Sequence, residues 1–122
     1  MFDHVVIGVS DYAASKAFYL RALAPLGVVA IAENELGLEM SGDGKTSFCI
    51  APTSDKPNHL HIAFVATSRE QVQAFHEAAL AAGGRDNGGP GLRPQYSARY
   101  YAAFVIGPDG HNVEAVFHEP EA

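Results

Sequence analysis

Polar turns divide the chain into short apolar stretches, and their hydrophobic patterns predict strands and helices in a regular order. In the short stretches bulky side chains alternate with small or polar ones, which is the period of a strand with one buried face. The dipeptides Ser10-Asp11 and Thr67-Ser68 are candidate helix N-caps. Strands are predicted over residues 3–9, 28–33, 36–40, 46–51, 60–66, 100–106 and 111–117, and helices over 12–24 and 69–82. One further strand is expected within 85–99, and the polar segment 52–58 is a predicted linker.

The same order of elements occurs twice along the chain. Residues 3–27 aligned without gaps on residues 60–84 give seven identities in twenty-five pairs, among them His4 with His61. This self-similarity predicts two strand–helix–strand–strand–strand modules, over about 1–52 and about 58–118, in a single domain of 122 residues. Since neither half would bury its helix and sheet well alone, we expect the paired sheets of this α+β fold to curve around a shared cavity.

Composition narrows the classes of partner. The net charge of −6 and the lack of a basic block argue against nucleic acid and against an anionic membrane surface. No apolar run is long enough to cross a bilayer, and no leader-like segment is expected. The single cysteine, Cys49, excludes an internal disulfide and favours a cytoplasmic location.

Glu114 is unusual because it lies inside the apolar run 113–117. Side chains alternate between the faces of a strand, so Glu114 points to the face opposite the core, and the same parity turns His4 and His61 toward the cavity. Two imidazoles and one carboxylate are typical ligands of divalent Fe, Mn, Zn or Ni. Each residue also has a simpler interpretation as an ordinary polar strand residue, and His59 competes with His61 as a ligand because it shares the same parity.

The last hairpin and the loop before it supply further candidates. A four-residue turn over 107–110 would pair Ile106 with His111 and Ala103 with Glu114. That register would place Tyr101 on the face of Glu114, as a phenol able to act on a metal-bound oxygen. The Gly- and Pro-rich segment 83–99 is either a lid or a solvated connector, and it contains three candidate substrate-binding residues: Arg93, Tyr96 and Arg99. The two arginines would pair with a carboxylate or phosphate.

Three motifs carry a resemblance to a known family: DHVVIGVSD near the start, HLHIAFVA in the middle and AFVIGPDGHNVEAV near the end. With these motifs the chain resembles the vicinal oxygen chelate superfamily, which contains glyoxalases, bleomycin resistance proteins and extradiol dioxygenases. The resemblance implies paired βαβββ modules in a U-shaped, incompletely closed mixed β-barrel around one divalent metal. It also implies that His4, His61 and Glu114 are the metal ligands.

One position departs from the glyoxalase I pattern. Cys49 stands where those enzymes have a fourth ligand, a glutamate, so the three-ligand set is closer to the dioxygenase-like branch, and Cys49 would line the substrate cavity. The resemblance implies a glyoxalase-like lyase or a dioxygenase-like enzyme that acts on a small oxygenated substrate. The alternatives are a non-catalytic drug-binding protein of the bleomycin resistance type and a degenerate member whose polar residues fill a dimer interface. The resemblance further implies a homodimer, with the site inside one chain or shared between two.

Overall fold

The computed structural model describes residues 1–55 and 59–120, so residues 56–58 of the predicted linker lie outside the described residues. The first half of the chain contains β1 (His4–Val9), α1 (Tyr12–Leu23), β2 (Val29–Asn34), β3 (Gly37–Ser41) and β4 (Ser47–Pro52). The second half contains β5 (His61–Val65), α2 (Arg69–Ala81), β6 (Arg85–Leu92), β7 (Tyr100–Ile106) and β8 (Asn112–His118). None of the helices in these ranges is long and apolar enough to cross a membrane.

Each half of the chain forms its own four-stranded mixed sheet. The strand orders are β1-β4-β3-β2 and β5-β8-β7-β6, so the second sheet repeats the topology of the first. The first and last strands of each half run parallel, and the other neighbours are antiparallel. The sheets do not close on themselves, which confirms the predicted α+β fold with an incompletely closed, U-shaped barrel.

The two helices begin where their capping residues predict. The Asp11 side chain accepts a hydrogen bond from the backbone N–H of Ala14 at 3.1 Å, and the Ser68 hydroxyl accepts one from Gln71 at 3.1 Å. These bonds satisfy backbone donors that have no partner inside the helix. The helices therefore start at fixed points relative to β1 and β5, the strands that carry the predicted histidines.

One apolar core joins the two halves of the chain. Phe18, Tyr19, Phe48 and Phe64 form a row of edge-to-face contacts with ring centroids 5.0–5.2 Å apart. Phe48 belongs to β4 and Phe64 to β5, so this row crosses from one sheet to the other. Because the core lies against the helices, the opposite face of each sheet lies outside it and carries both polar and apolar side chains.

The further strand expected within 85–99 is confirmed as the edge strand β6 over Arg85–Leu92, so the first part of the predicted loop 83–99 is regular. Its pairing with β7 shifts register between Asp86 and Gly88 and again between Gly88 and Gly91. Gly and Pro are tolerated at bulged edge strands, where few ladder hydrogen bonds are needed. The irregular connection is therefore limited to residues 93–99.

The predicted register of the last hairpin is also wrong, by one residue. Ile106 pairs with Asn112, and Phe104 pairs with Glu114. The reason is that His111 belongs to the turn, where its carbonyl accepts the Gly107 N–H at 2.9 Å. Gly110 adopts a φ of +87°, which favours glycine and allows the longer connection. This shift changes which tyrosine lies on the face of Glu114.

Candidate functional site

His61 and Glu114 meet on neighbouring parallel strands. On β5 the side chains of His61, Ala63 and Val65 point away from the core, as the strand parity predicts. Glu114 on β8 lies directly opposite Ala63, and its Oε1 is 2.7 Å from Nε2 of His61. The Glu114 side chain is only 1% exposed, whereas the imidazole keeps half of its surface open to solvent. The pair thus presents one accessible nitrogen-bearing ring over a buried carboxylate.

Tyr100 provides the second partner of this carboxylate. Its hydroxyl donates a hydrogen bond to Oε2 of Glu114, so each carboxylate oxygen has one partner. Burial, reinforced by the hydrogen bond to Glu114, raises the pKa of Tyr100 to about 12. A buried carboxylate is costly without such bonds, and here both oxygens are satisfied.

Aromatic rings surround this hydrogen-bonded group. The Phe104 ring centroid is 6.0 Å from that of His61, and Ala102, Phe104 and Val116 form a small apolar cluster beside Tyr100. Tyr96 packs against Tyr100 with centroids 5.0 Å apart. These rings shield Glu114 from water and offer an apolar surface next to it.

Arg93 lies at the border of this surface. Its guanidinium stands over the Phe104 ring at 5.3 Å and donates hydrogen bonds to the carbonyl oxygens of Gly89 and Gly91 at 2.8 and 2.9 Å. Two of its five N–H donors are used in this way, which fixes the plane of the group. Arg99 lies at the end of the connection, where its carbonyl accepts the Glu119 N–H at 2.9 Å.

The predicted placement of Tyr101 on the cavity face is wrong. Tyr101 is 6% exposed and lies on the helix side of β7, where its hydroxyl accepts a hydrogen bond from Gln73 of α2 at 3.0 Å. The Arg69 guanidinium covers its ring at 4.6 Å. Because the register differs by one residue, the phenol beside Glu114 is that of Tyr100 and not that of Tyr101.

His4 lies on the first sheet, on the face that points away from the buried Ile7 and Val9. Its Nδ1 is 2.7 Å from Oδ1 of Asp3, which leaves Nε2 without a partner on the strand itself. Metal-binding histidines commonly have a carboxylate on the second ring nitrogen, because it fixes the tautomer and the ring orientation. The surroundings of His4 are therefore compatible with a role as a metal ligand.

A cavity of about 340 Å³ lies on the same face of the first sheet. Cys49 and His4 both line it, and Cys49 is directly opposite Val6 on β1 and Glu39 on β3. Directly paired residues share a face, so Glu39 contributes a carboxylate to this cavity. Glu39 is not among the residues predicted from the sequence, although its alternation with the buried Leu38 and Met40 indicates its direction.

The three predicted ligands are not brought together within one chain. Across residues 1–55 and 59–120, no three His, Cys, Asp or Glu side chains converge on a point that could hold a metal ion. Gly8 is close to the start of β5, because its carbonyl is 3.3 Å from Nε2 of His111 and the Nδ1 of that ring accepts the Leu60 N–H at 3.0 Å. His4 precedes Gly8 by four residues on β1, and this separation is about 13 Å at the rise of a strand.

His59 lies beside the turn between β7 and β8 rather than beside the Glu114 carboxylate. Its ring lies 6.3 Å from that of His111, and a Cβ at Gly110 would come within 2.7 Å of its Nε2. In the described structure His61 is the histidine that contacts Glu114.

Nε2 of His61 and Oε1 of Glu114 are donor atoms that fit a divalent ion, because two ligands each about 2.1 Å from one ion lie about 3.0–3.4 Å apart. The 2.7 Å pair would need to open by only a few tenths of an ångström.

Comparison with known proteins gives a family and several similar structures. A sequence model of the glyoxalase/bleomycin resistance protein/dioxygenase superfamily matches residues 1–115. A glyoxalase/bleomycin resistance protein from Albidiferax ferrireducens is 32% identical, with a TM-score of 0.84 over 98% of this chain and 99% of that one.

Two more distant structures share the fold. A glyoxalase-related enzyme from Fulvimarina pelagi is 19% identical, with a TM-score of 0.75 over 96% of this chain and 87% of that one. A glyoxalase/bleomycin resistance protein/dioxygenase family enzyme from Burkholderia phytofirmans is 17% identical, with a TM-score of 0.74 over 96% and 98% of the two chains. No match was found among curated protein sequences.

Proposed function

Because the chain belongs to the glyoxalase/bleomycin resistance protein/dioxygenase superfamily, we propose that it is a divalent-metal-dependent enzyme. It acts on a small oxygenated substrate as a glyoxalase-like lyase or a dioxygenase-like enzyme. The observation that carries this proposal is the 2.7 Å contact between Nε2 of His61 and the buried Oε1 of Glu114. A buried carboxylate whose Oε1 faces an accessible imidazole presents two donor atoms of the kinds that divalent cations prefer.

The ligands proposed are His4, His61 and Glu114, and the ion is Fe, Mn, Zn or Ni. When bound, such an ion supplies Lewis-acid polarisation of a substrate oxygen or, as Fe(II), a site for oxygen chemistry. The remaining work belongs to the chain. Arg93 orients an anionic group of the substrate, and Phe104 contacts its apolar part and keeps water away from Glu114.

We propose that the site is completed by a second copy of the chain in a homodimer. His4 lies in one sheet and His61 with Glu114 in the other, and within one chain these groups do not converge. The cavity faces also expose apolar side chains, with Val6 54% and Val65 72% exposed. Pairing the first sheet of one chain with the second sheet of its partner would cover both residues and give two equivalent sites.

The unpaired Cys49 supports a reducing, cytoplasmic location.

A non-catalytic drug-binding protein of the bleomycin resistance type is the second candidate. Two observations favour it: the aromatic surface formed by Tyr96, Tyr100 and Phe104, and the net charge of −6, which suits a cationic ligand. The two candidates differ in one respect that is easily measured. Only the enzyme requires a metal held by Glu114 and the two histidines.

The test is metal binding by protein purified without chelator and reconstituted in turn with Fe(II), Mn(II), Zn(II) and Ni(II). Glu114→Ala and His61→Ala should lose the metal, whereas His76→Ala, a histidine of α2 that pairs with Asp86, should retain it. Absence of stoichiometric metal in the wild type with all four ions would overturn the enzyme proposal. Tight binding of a bleomycin-type drug by that metal-free protein would then support the alternative.

A mixing experiment tests whether the site is shared. His4→Ala and Glu114→Ala chains are each expected to bind no metal. In a shared site, random exchange of subunits restores one intact site in each mixed dimer, which is about one quarter of the wild-type metal content. If the mixture binds no metal although mass spectrometry detects mixed dimers, the site is not shared in this way.

A further inference from the structure

We propose that Tyr100 is a positioning residue for the metal-binding carboxylate, a role that rests on the proposed function of Glu114 as a ligand. The Tyr100 hydroxyl donates to Oε2 of Glu114, while Oε1 faces Nε2 of His61 at 2.7 Å. The two carboxylate oxygens are therefore assigned different tasks. Oε2 is held by the protein, and Oε1 is presented on the side of the imidazole.

The strand pairing makes this division rigid. Glu114 lies opposite Phe104 on β7, and Tyr100 precedes Phe104 by four residues on the same face of that strand. The Tyr100 ring is held between Tyr96, at 5.0 Å, and His118, which meets it edge-on at 5.2 Å. A phenol fixed on both sides supplies its hydroxyl in one direction, so it constrains the rotation of the carboxylate about its last bond.

Removing this hydroxyl leaves Oε2 buried without a partner. The carboxylate then gains by turning away from the orientation that presents Oε1, because an unsatisfied buried acceptor is costly. Partners of this kind beside a ligating carboxylate change metal affinity by about 10–100-fold when they are mutated. Tyr100 thus controls how Glu114 is presented, without itself contacting the ion.

The test compares Tyr100→Phe with Tyr101→Phe. The second variant is a matched control, because Tyr101 is the next residue on the same strand, also has a hydrogen-bonded hydroxyl, and faces α2 instead of Glu114. We expect Tyr100→Phe to weaken Co(II) or Zn(II) binding by about 10–100-fold and to change the visible spectrum of the Co(II) protein. Tyr101→Phe should leave both unchanged. Equal affinities and spectra for Tyr100→Phe and the wild type would overturn the proposal.

A second readout does not depend on a metal. Nitrogen-15 NMR of the metal-free protein reports the tautomer and hydrogen bonding of the His61 ring. Tyr100→Phe should shift the Nε2 resonance of His61, because the carboxylate that it contacts is released, and Tyr101→Phe should not. An unshifted His61 signal overturns the positioning role even if the wild type binds metal. A wild type that binds no metal while the His61 signal shifts overturns the proposed function but supports the contact on which the positioning role depends.

Discussion

Replacing Asp109 with alanine should destabilise the fold by about 2–4 kcal/mol, since this side chain connects the two halves of the chain. Asp109 lies in the Pro-Asp-Gly turn between β7 and β8. Its Oδ1 accepts the backbone N–H of Ser10 at 2.8 Å and also the Ser10 hydroxyl, and its Oδ2 accepts the hydroxyl of Ser15 at 2.7 Å. The turn of the second half is thereby fixed to the junction of β1 and α1 in the first half.

The magnitude follows from burial. Ser15 is fully buried, so its hydroxyl would lose its partner at about 1–3 kcal/mol. Ser10 is exposed and regains water, so its two bonds contribute about 0.5 kcal/mol each, at the lower end of the usual range. Since whole domains are stable by about 5–15 kcal/mol, this loss should be plain in urea denaturation.

The pH dependence has a definite sign. Burial tends to raise the pKa of Asp109, but the hydrogen bonds from Ser10 and Ser15 outweigh it and lower the pKa below the ordinary 3.8. A carboxyl whose pKa is lowered by folding stabilises the fold above its unfolded pKa and loses that contribution as pH falls through the folded value. The stability difference between wild type and Asp109→Asn should therefore be largest near neutral pH and shrink below about pH 4.

A double-mutant cycle with Ser15→Ala isolates the contact. The coupling energy should be about 1–2 kcal/mol, because the two side chains share a bond that each single variant removes. Asp86→Asn is a control, since this exposed aspartate also has a lowered pKa, owing first to the His76 hydrogen bond, but connects α2 and β6 within one half. The reasoning would be refuted if the effects of the Asp109 and Ser15 substitutions were additive. It would also be refuted if the stability difference between wild type and Asp109→Asn persisted unchanged at pH 3.

Two further substitutions test the packing and the substrate surface. Gly84→Ala should lower the free energy of unfolding by about 1–3 kcal/mol or more, because the new Cβ would lie 2.4 Å from Val105 and 2.7 Å from Phe18. An unchanged melting temperature would contradict this. Arg93→Ala should weaken binding of carboxylate- or phosphate-bearing ligands by about 10-fold or more in calorimetry, while neutral analogues of the same shape bind as before; an equal loss for both kinds of ligand would show that the guanidinium acts through the Phe104 surface instead.

The parts of the fold that the sequence predicted are those in which alternation is strong. The core residues of β1 and β5 alternate with the cavity residues, so the directions of His4 and His61 follow from parity alone. β6 has no such alternation, because four of its eight residues are Gly or Pro and few side chains signal a face. The edge position permits this composition, and the same composition conceals the strand in the sequence.

The choice between Tyr100 and Tyr101 depended on one residue of turn length. Two adjacent tyrosines give the same hydrophobic signal, so only the pairing of the hairpin decides which of them faces Glu114. That pairing is set by the bond between Gly107 N–H and the His111 carbonyl and by the left-handed Gly110. A Pro-Asp-Gly sequence is compatible with either turn length, and a shift of one residue exchanges the two faces.

Parity also explains why the sequence could not predict whether the three proposed ligands converge. It gives the face on which a side chain lies, but not the position of one sheet relative to another. His61 and Glu114 lie on adjacent strands of one sheet, so their contact follows once the strand order is known. His4 lies on the first sheet, and its relation to them depends on how whole sheets are arranged, within a chain or between chains. The partner of the His61–Glu114 pair is therefore a question of assembly. If the proposed site is shared between two chains, dilution that separates the dimer should release the metal, and added metal should shift dissociation to lower protein concentration.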